Sequence, residues 1–249
     1  MRARLARRLL LGPLAMPASV RRRRTSRGGF TVIELMVVVA LIGIFAAVGA
    51  PKLDQFFANQ RAKSAARSIA DAFRTAAGNA IRTGDPQIVF LSAAAGGNPP
   101  ATDSAGTPLG NDPDGRVWPA VIVDDGAPAV SNCRIDAGET QATVKPELGV
   151  AWGVSRPAIP IAPGDTGSGN RTTGSTFSTR AGGAGTTWVM FRPDGIPVGF
   201  DAACVQSPIG EGGGAVYITN GVRDYAVVLT PLGGVKVHGW NPETNAWTD

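Results

Sequence analysis

A chain of 249 residues has room for one large domain or two small ones, and 43% apolar with 17% charged residues excludes a disordered polymer. The formal charge of +5 suggests a nucleic acid or membrane surface as partner, but nine of the 24 basic residues precede Phe30 and no acidic residue does. From Phe30 onward 15 basic residues stand against 19 acidic ones, a net of −4, so the basicity belongs to the leader.

The leader, residues 1–29, ends in the small residues Gly28 and Gly29, and the apolar run comes after them. An ordinary signal peptide is cut beyond its apolar part and loses it. A cut after Gly29 leaves the run attached as an anchor. The patch "LLLGPLAMPA" inside the leader makes Met16 the better start than Met1, since "MPASVRRRRTSRGG" is compact and basic. Residues 30–50 are apolar except for Thr31 and Glu34, which as helix is about 30 Å, enough to cross a bilayer core. The flanking arginines place this end in the cytoplasm and everything beyond Pro51 outside. Glu34 needs a compensating partner, because a charge within a membrane helix costs roughly 2.5 to 3.5 kcal/mol even on lenient scales.

Gly29 followed by Phe30-Thr31-Val32-Ile33-Glu34-Leu35, the long apolar run and Pro51 resembles the cleavage and methylation segment of type IV pilins and type II secretion pseudopilins. The resemblance covers about the first fifth of the chain. It implies cleavage between Gly29 and Phe30 by a prepilin peptidase, N-methylation of Phe30, and assembly into a helical filament with other pilin or pseudopilin subunits at an inner-membrane platform. It also implies that Glu34 of an incoming subunit pairs with the Phe30 amine of its neighbour. The alternative is an interaction of Glu34 with its own helix N-terminus, worth less than about 1 kcal/mol when exposed.

Residues 51–82 continue as an amphipathic helix, with Leu53, Phe56, Phe57, Ala65, Ala66, Ile69, Phe73, Ala76, Ala77, Ala80 and Ile81 recurring at helical spacing and Gly84-Asp85-Pro86 ending it. Residues 83–249 read as strands and loops. "QIVFLS", "VWPAVIV", "VAWGV", "TTWVMF", "AVYIT" and "YAVVLT" are β-branched and aromatic runs bounded by turn residues. Asn220-Gly221 predicts a type I′ hairpin, and Arg192-Pro193-Asp194-Gly195 a second turn. The fold class is therefore α+β: a long N-terminal helix packed on a C-terminal antiparallel sheet. The strand ending at Phe191, the Pro193-Asp194-Gly195 turn and the closing hairpin leading to Gly233-Gly234-Val235 are similar to the GspH/FimT group of minor pseudopilins and minor pilins. Gly234-Val235 stands where that group often carries Gly-Arg.

Other chemistry finds little support. His238 is the single histidine and reads as a partly exposed strand residue, so no His-based triad or zinc site is available. The Gly-rich stretch 162–185 lacks the Gly-Lys-Ser/Thr ending of a phosphate loop and reads as a flexible surface loop. Asp112 and Asp114 in "NDPDG" could offer calcium oxygen ligands, but plain turns use the same residues. Cys133 and Cys204 lie in the part placed in an oxidising compartment, and a disulfide is favoured over a redox or metal role because neither Cys-x-x-Cys spacing nor further ligands exist. No catalytic, cofactor or metal residues are assigned. The acidic balance over 83–249, nine basic against 16 acidic residues, argues against nucleic acid as a partner unless folding gathers Arg171, Arg180, Arg192 and Arg223.

The sequence thus predicts a non-enzymatic minor pseudopilin of a type II secretion pseudopilus. It would be a single-pass protein of the bacterial inner membrane with a periplasmic C-terminal domain. A minor type IV pilin acting in pilus biogenesis or DNA uptake, and a membrane-tethered surface enzyme, are the alternatives.

Overall fold

The computed structural model describes residues 29–91, 120–126, 131–133, 139–144 and 149–248. The leader before Gly29, and Asp112 and Asp114 with the proposed calcium turn, lie outside the described residues. Two compact units divide the chain, residues 1–48 and residues 49–249. Helix α1, Val32–Thr83, runs through the boundary between them. In the first unit every described side chain from Phe30 to Ala47 is exposed.

In the second unit α1 packs on antiparallel strands in two five-stranded sheets, where a single sheet was expected. The strands are β1 Gln87–Phe90, β2 Ala120–Asp124, β3 Gln141–Val144, β4 Ala151–Trp152, β5 Trp188–Phe191, β6 Pro197–Val198, β7 Gly214–Thr219, β8 Asp224–Leu229, β9 Val235–Asn241 and β10 Ala246–Thr248. One sheet has the order β3-β2-β1-β5-β6 and the other β10-β9-β8-β7-β4. Strands β1, β5 and β7 are buried along their whole length. The period-2 pleat sends alternate residues to opposite sides of each sheet. Val89, Val189, Phe191, Val216, Ile218, Val227 and Leu229 join Ala66, Ile69, Phe73, Ala76 and Ala80 of α1 in the main core. Ile88, Phe90, Trp188, Met190, Val198 and Phe200 form a second core behind the first sheet. Ala162, Ala215, Tyr217, Ala226 and Val228 form a third behind the other. Small residues on α1 let the helix backbone lie close to the sheets, while Phe73 fills the space between Phe177 and Phe191 at ring-centroid distances of 5.8 and 6.3 Å.

Three sequence expectations need correction. The buried stripe of α1 begins at Ala62, and Leu53, Phe56, Phe57 and Ile81 are more than half exposed. The Asn220 side chain at the β7–β8 turn meets Asn59 at 2.8 Å, and the sheets do not cover the helix positions of Leu53, Phe56 and Phe57. Second, the β7–β8 hairpin closes with Asn220 N–H donating to the Arg223 carbonyl, so Gly221 and Val222 are its central pair. Gly221 alone takes a positive φ of 82°, the pattern of a II′ turn and not of I′. The Asn220 Oδ1 accepts from the backbone of Val222 and Arg223, which is why asparagine precedes the turn and does not occupy its centre.

Third, the Gly-rich stretch 162–185 is built into the fold. Ser175, Thr176, Phe177 and Ser178 are buried. Thr176 N–H donates to the Ala215 carbonyl, and Ser175 bridges to Val216. The Asp165 carboxylate accepts from the Tyr217 hydroxyl and the Thr176 hydroxyl, each at 2.8 Å, and from Gly167 N–H. Burial, reinforced by neighbouring Asp165, pushes the Tyr217 phenol well above its usual range, so it stays a proton donor to that carboxylate. Composition suggested a loop, but hydrogen bonds to residues about 40 to 50 positions away hold the segment in place.

Cys133 and Cys204 form a disulfide that ties the segment after β2 to the loop after β6, with Cα atoms 5.5 Å apart. The buried Asp125 carboxylate accepts from Ser131 Oγ and from the N–H groups of Asn132 and Cys133, fixing the approach to the bond. With the cysteines 71 positions apart, the cross-link restricts the unfolded chain by about 4 kcal/mol in the chain-entropy model. Changing both cysteines to serine lowers stability by that order, measured as a shift of the denaturant midpoint. An unchanged midpoint would show that the fold does not depend on the bond.

Candidate functional site

The candidate site is the beginning of α1. Gly29 and Phe30 are exposed and precede the helix, so the peptide bond between them lies in extended chain accessible to another protein. A side chain on Gly29 would meet nothing within 4 Å. Thr31 stands at the N-cap. Its hydroxyl accepts from Glu34 N–H at 3.2 Å, while Thr31 N–H and hydroxyl donate to Glu34 Oε2 at 3.1 and 3.2 Å. This reciprocal pair is a capping box, in which each residue satisfies a backbone donor that the helix start leaves open. Thr-x-x-Glu directly before an apolar run is its sequence signature, so Thr31 was legible before the structure and was passed over. A cut before Phe30 removes neither member of the box.

Along α1 from Val32 to Phe45 the large side chains are exposed, most of them by half or more, including Leu35, Val39, Ile42 and Phe45. Helix α1, Val32–Thr83, holds an apolar run long enough to cross a membrane. An apolar helix surface of this extent is unstable in water and needs lipid or other helices around it. Glu34 sits on that surface, and among the described residues its carboxylate bonds to Thr31 of the cap.

Two other chemical possibilities resolve into structure. The Asp125 carboxylate and the sulfurs of Cys133 and Cys204 lie within 4.8 Å of one another, but the sulfurs are bonded together and offer no thiolate to a metal. His238 is buried in β9, not partly exposed as expected, because its register partner Ala226 lies on the sheet face covered by the third core. Of the arginines named as a possible nucleic-acid patch, Arg192 pairs with Asp194 at 3.2 Å, Arg171 donates to the Pro157 carbonyl, and Arg223 lines a hollow with Lys63 and Arg67.

Residues 24–50 match the family model described as the prokaryotic N-terminal methylation motif. The segment is similar to the amino-terminal segment of type IV pilins. Two fimbrial proteins of Pseudomonas aeruginosa are each 45% identical over 56 residues, covering 22% of this chain and 36% of theirs. The type IV major fimbrial protein FimA of Dichelobacter nodosus is 35% identical over 97 residues, 39% of this chain and 53% of that protein. The chain thus spans between about a third and a half of the length of these relatives. No solved structure matches. The likeness to type IV pilins includes the methylation segment, residues 24–50, and the relatives are fimbrial proteins whose names do not specify the GspH/FimT group.

Proposed function

We propose that the chain is a filament subunit. A prepilin peptidase cuts it between Gly29 and Phe30, the new Phe30 amine is methylated, and the subunit waits in the bacterial inner membrane with residues 83–249 on the periplasmic side. An assembly platform then transfers α1 from lipid into the core of a helical filament of other pilin or pseudopilin subunits. The observation that carries this reading is the exposed apolar surface of α1 from Val32 to Phe45, with the acidic Glu34 set in its first turn. Leu53, Phe56 and Phe57 extend uncovered apolar surface beyond the membrane-length run, which suits packing among helices in a filament better than a simple lipid anchor.

Within the class, the order of β5, the Pro193-Asp194-Gly195 turn and the β7–β8–β9 meander supports a minor pseudopilin of type II secretion. In the turn, Gly195 N–H donates to the Arg192 carbonyl at 2.7 Å, and a side chain on Gly195 would collide with Ile81 of α1. The similarity to fimbrial proteins favours the second reading, a minor subunit of a type IV pilus. Both readings are non-enzymatic, need no cofactor, and assign no role to nucleic acid.

The test is to shear filaments from cells making the chain and sequence it by mass spectrometry. A first residue of N-methylated Phe30 in the sheared fraction is the expected result. Finding the chain only in the membrane fraction, with or without its leader, would remove the filament reading. Deleting the gene then separates the machines: loss of exoprotein secretion with normal pili indicates the pseudopilus, and loss of pili with normal secretion the pilus.

A further inference from the structure

The sheets and α1 do not close fully on one another along the β8–β9 side. Tyr225, Val237 and Gly239 occupy successive helix-facing positions of these strands, with Tyr225 opposite Gly239 in the register. Gly239 brings no side chain and, with Tyr225 and Val237, lines a hollow of about 340 Å³. That volume is at the small end of ligand sites.

Three cations line it. Lys63 and Arg67 are four residues apart and share one face of α1, and Arg223 enters from the β7–β8 turn. Among the described residues, none of the three pairs with a carboxylate and no acidic side chain lines the hollow. Arg67 and Arg223 both act on Tyr225: burial pushes its phenol up and the two guanidiniums oppose that rise. Like charges gathered without counter-charge repel one another and cost stability, so the arrangement is one that a multivalent anion relieves. Two guanidiniums and an ammonium around one space match the oxygens of a phosphoryl group, and Val237 with the Tyr225 ring supplies an apolar wall for carbon.

We propose that this hollow binds a small phosphate monoester, its phosphoryl group held by Lys63, Arg67 and Arg223 and its carbon skeleton lying against Tyr225 and Val237. The site is separate from the assembly segment and does not depend on entry into a filament. A phosphate monoester carries close to two negative charges at neutral pH and so answers three cations better than a single carboxylate does.

The test uses the full chain in detergent, titrated calorimetrically with glycerol phosphate, inorganic phosphate and glycerol. Saturable binding of glycerol phosphate, at least about threefold tighter than inorganic phosphate, and no binding of glycerol are expected. Arg67→Gln and Arg223→Gln each weaken it about tenfold or more. Gly239→Val keeps every charge and narrows the hollow against the Tyr225 ring, weakening glycerol phosphate by about threefold or more and inorganic phosphate less. Its Cβ would sit 3.4 Å from the Tyr225 ring, an ordinary contact, so the strand is expected to tolerate it, and an unchanged thermal midpoint checks this. Equal affinity for both phosphates overturns the carbon-contact half of the proposal. Absence of saturation up to about 10 mM, or binding unchanged in Arg67→Gln, Arg223→Gln and Gly239→Val alike, overturns it entirely. Duplex DNA that binds more tightly than glycerol phosphate and is lost with the same arginines would also overturn it, replacing a small ester by a polymer.

Discussion

Replacing Gly29 with leucine leaves residues 1–29 attached to essentially every molecule. The reason lies in the peptidase and not in the chain. Gly29 is exposed, precedes the helix, and has open space where a side chain would grow, so Gly29→Leu disturbs nothing that holds α1 or the domain together. The cap formed by Thr31 and Glu34 lies beyond the cut and is unaffected. What changes is the fit of the residue beside the scissile bond in an active site shaped for a small one. Methylation of Phe30 fails as a consequence, since no free amine is made. Intact-mass measurement of the membrane fraction decides the matter: retention of the leader in Gly29→Leu is expected, and its normal removal would falsify the processing assignment.

Glu34→Val lowers incorporation into filaments by about 100-fold while membrane retention rises. Leaving a buried charge without its partner costs about 3 to 5 kcal/mol, and the neighbour's Phe30 amine is left in that position when Glu34 is lost. The bilayer meanwhile gains an apolar side chain in place of an acid. The structure adds a competing cause, because Glu34 also closes the capping box with Thr31, and losing a cap costs roughly 0.5 to 2 kcal/mol on its own. Glu34→Gln separates the two. Glutamine closes the same box but carries no charge. If charge pairing drives assembly, Gln fails as Val does. Filaments of Glu34→Gln recovered at the wild-type level, with Val still absent, would assign the effect to the cap alone. Quantifying the chain in sheared and membrane fractions for all three forms gives the answer.

What was legible in the sequence was what local pattern encodes. The apolar run after Gly29, the helix ending at Gly84-Asp85-Pro86 and the runs that became β1, β5, β7 and β8 depend on periodicity and turn residues a few positions apart. The strands β3, β6 and β10 escaped notice because QATV, PV and AWT lack the continuous β-branched and aromatic run that marks β1 and β5. The burial of Ser175 to Ser178 escaped for a different reason. Glycine and threonine look like loop composition, yet a backbone that satisfies its hydrogen bonds against β7 can be core whatever its side chains.

The sequence by itself brought together the residues of the proposed amino-terminal site, because Gly29, Phe30 and Glu34 are neighbours along one stretch of chain and one turn of helix, where spacing is geometry. Only the tertiary structure decided that Leu53, Phe56 and Phe57 stay uncovered, since the reach of the sheets along α1 is a matter of packing between distant segments. It also decided that Lys63, Arg67 and Arg223 surround one hollow. Two of those cations share a helix face, but the third lies more than 150 positions away, and Gly239 keeps the space open only because register places it opposite Tyr225.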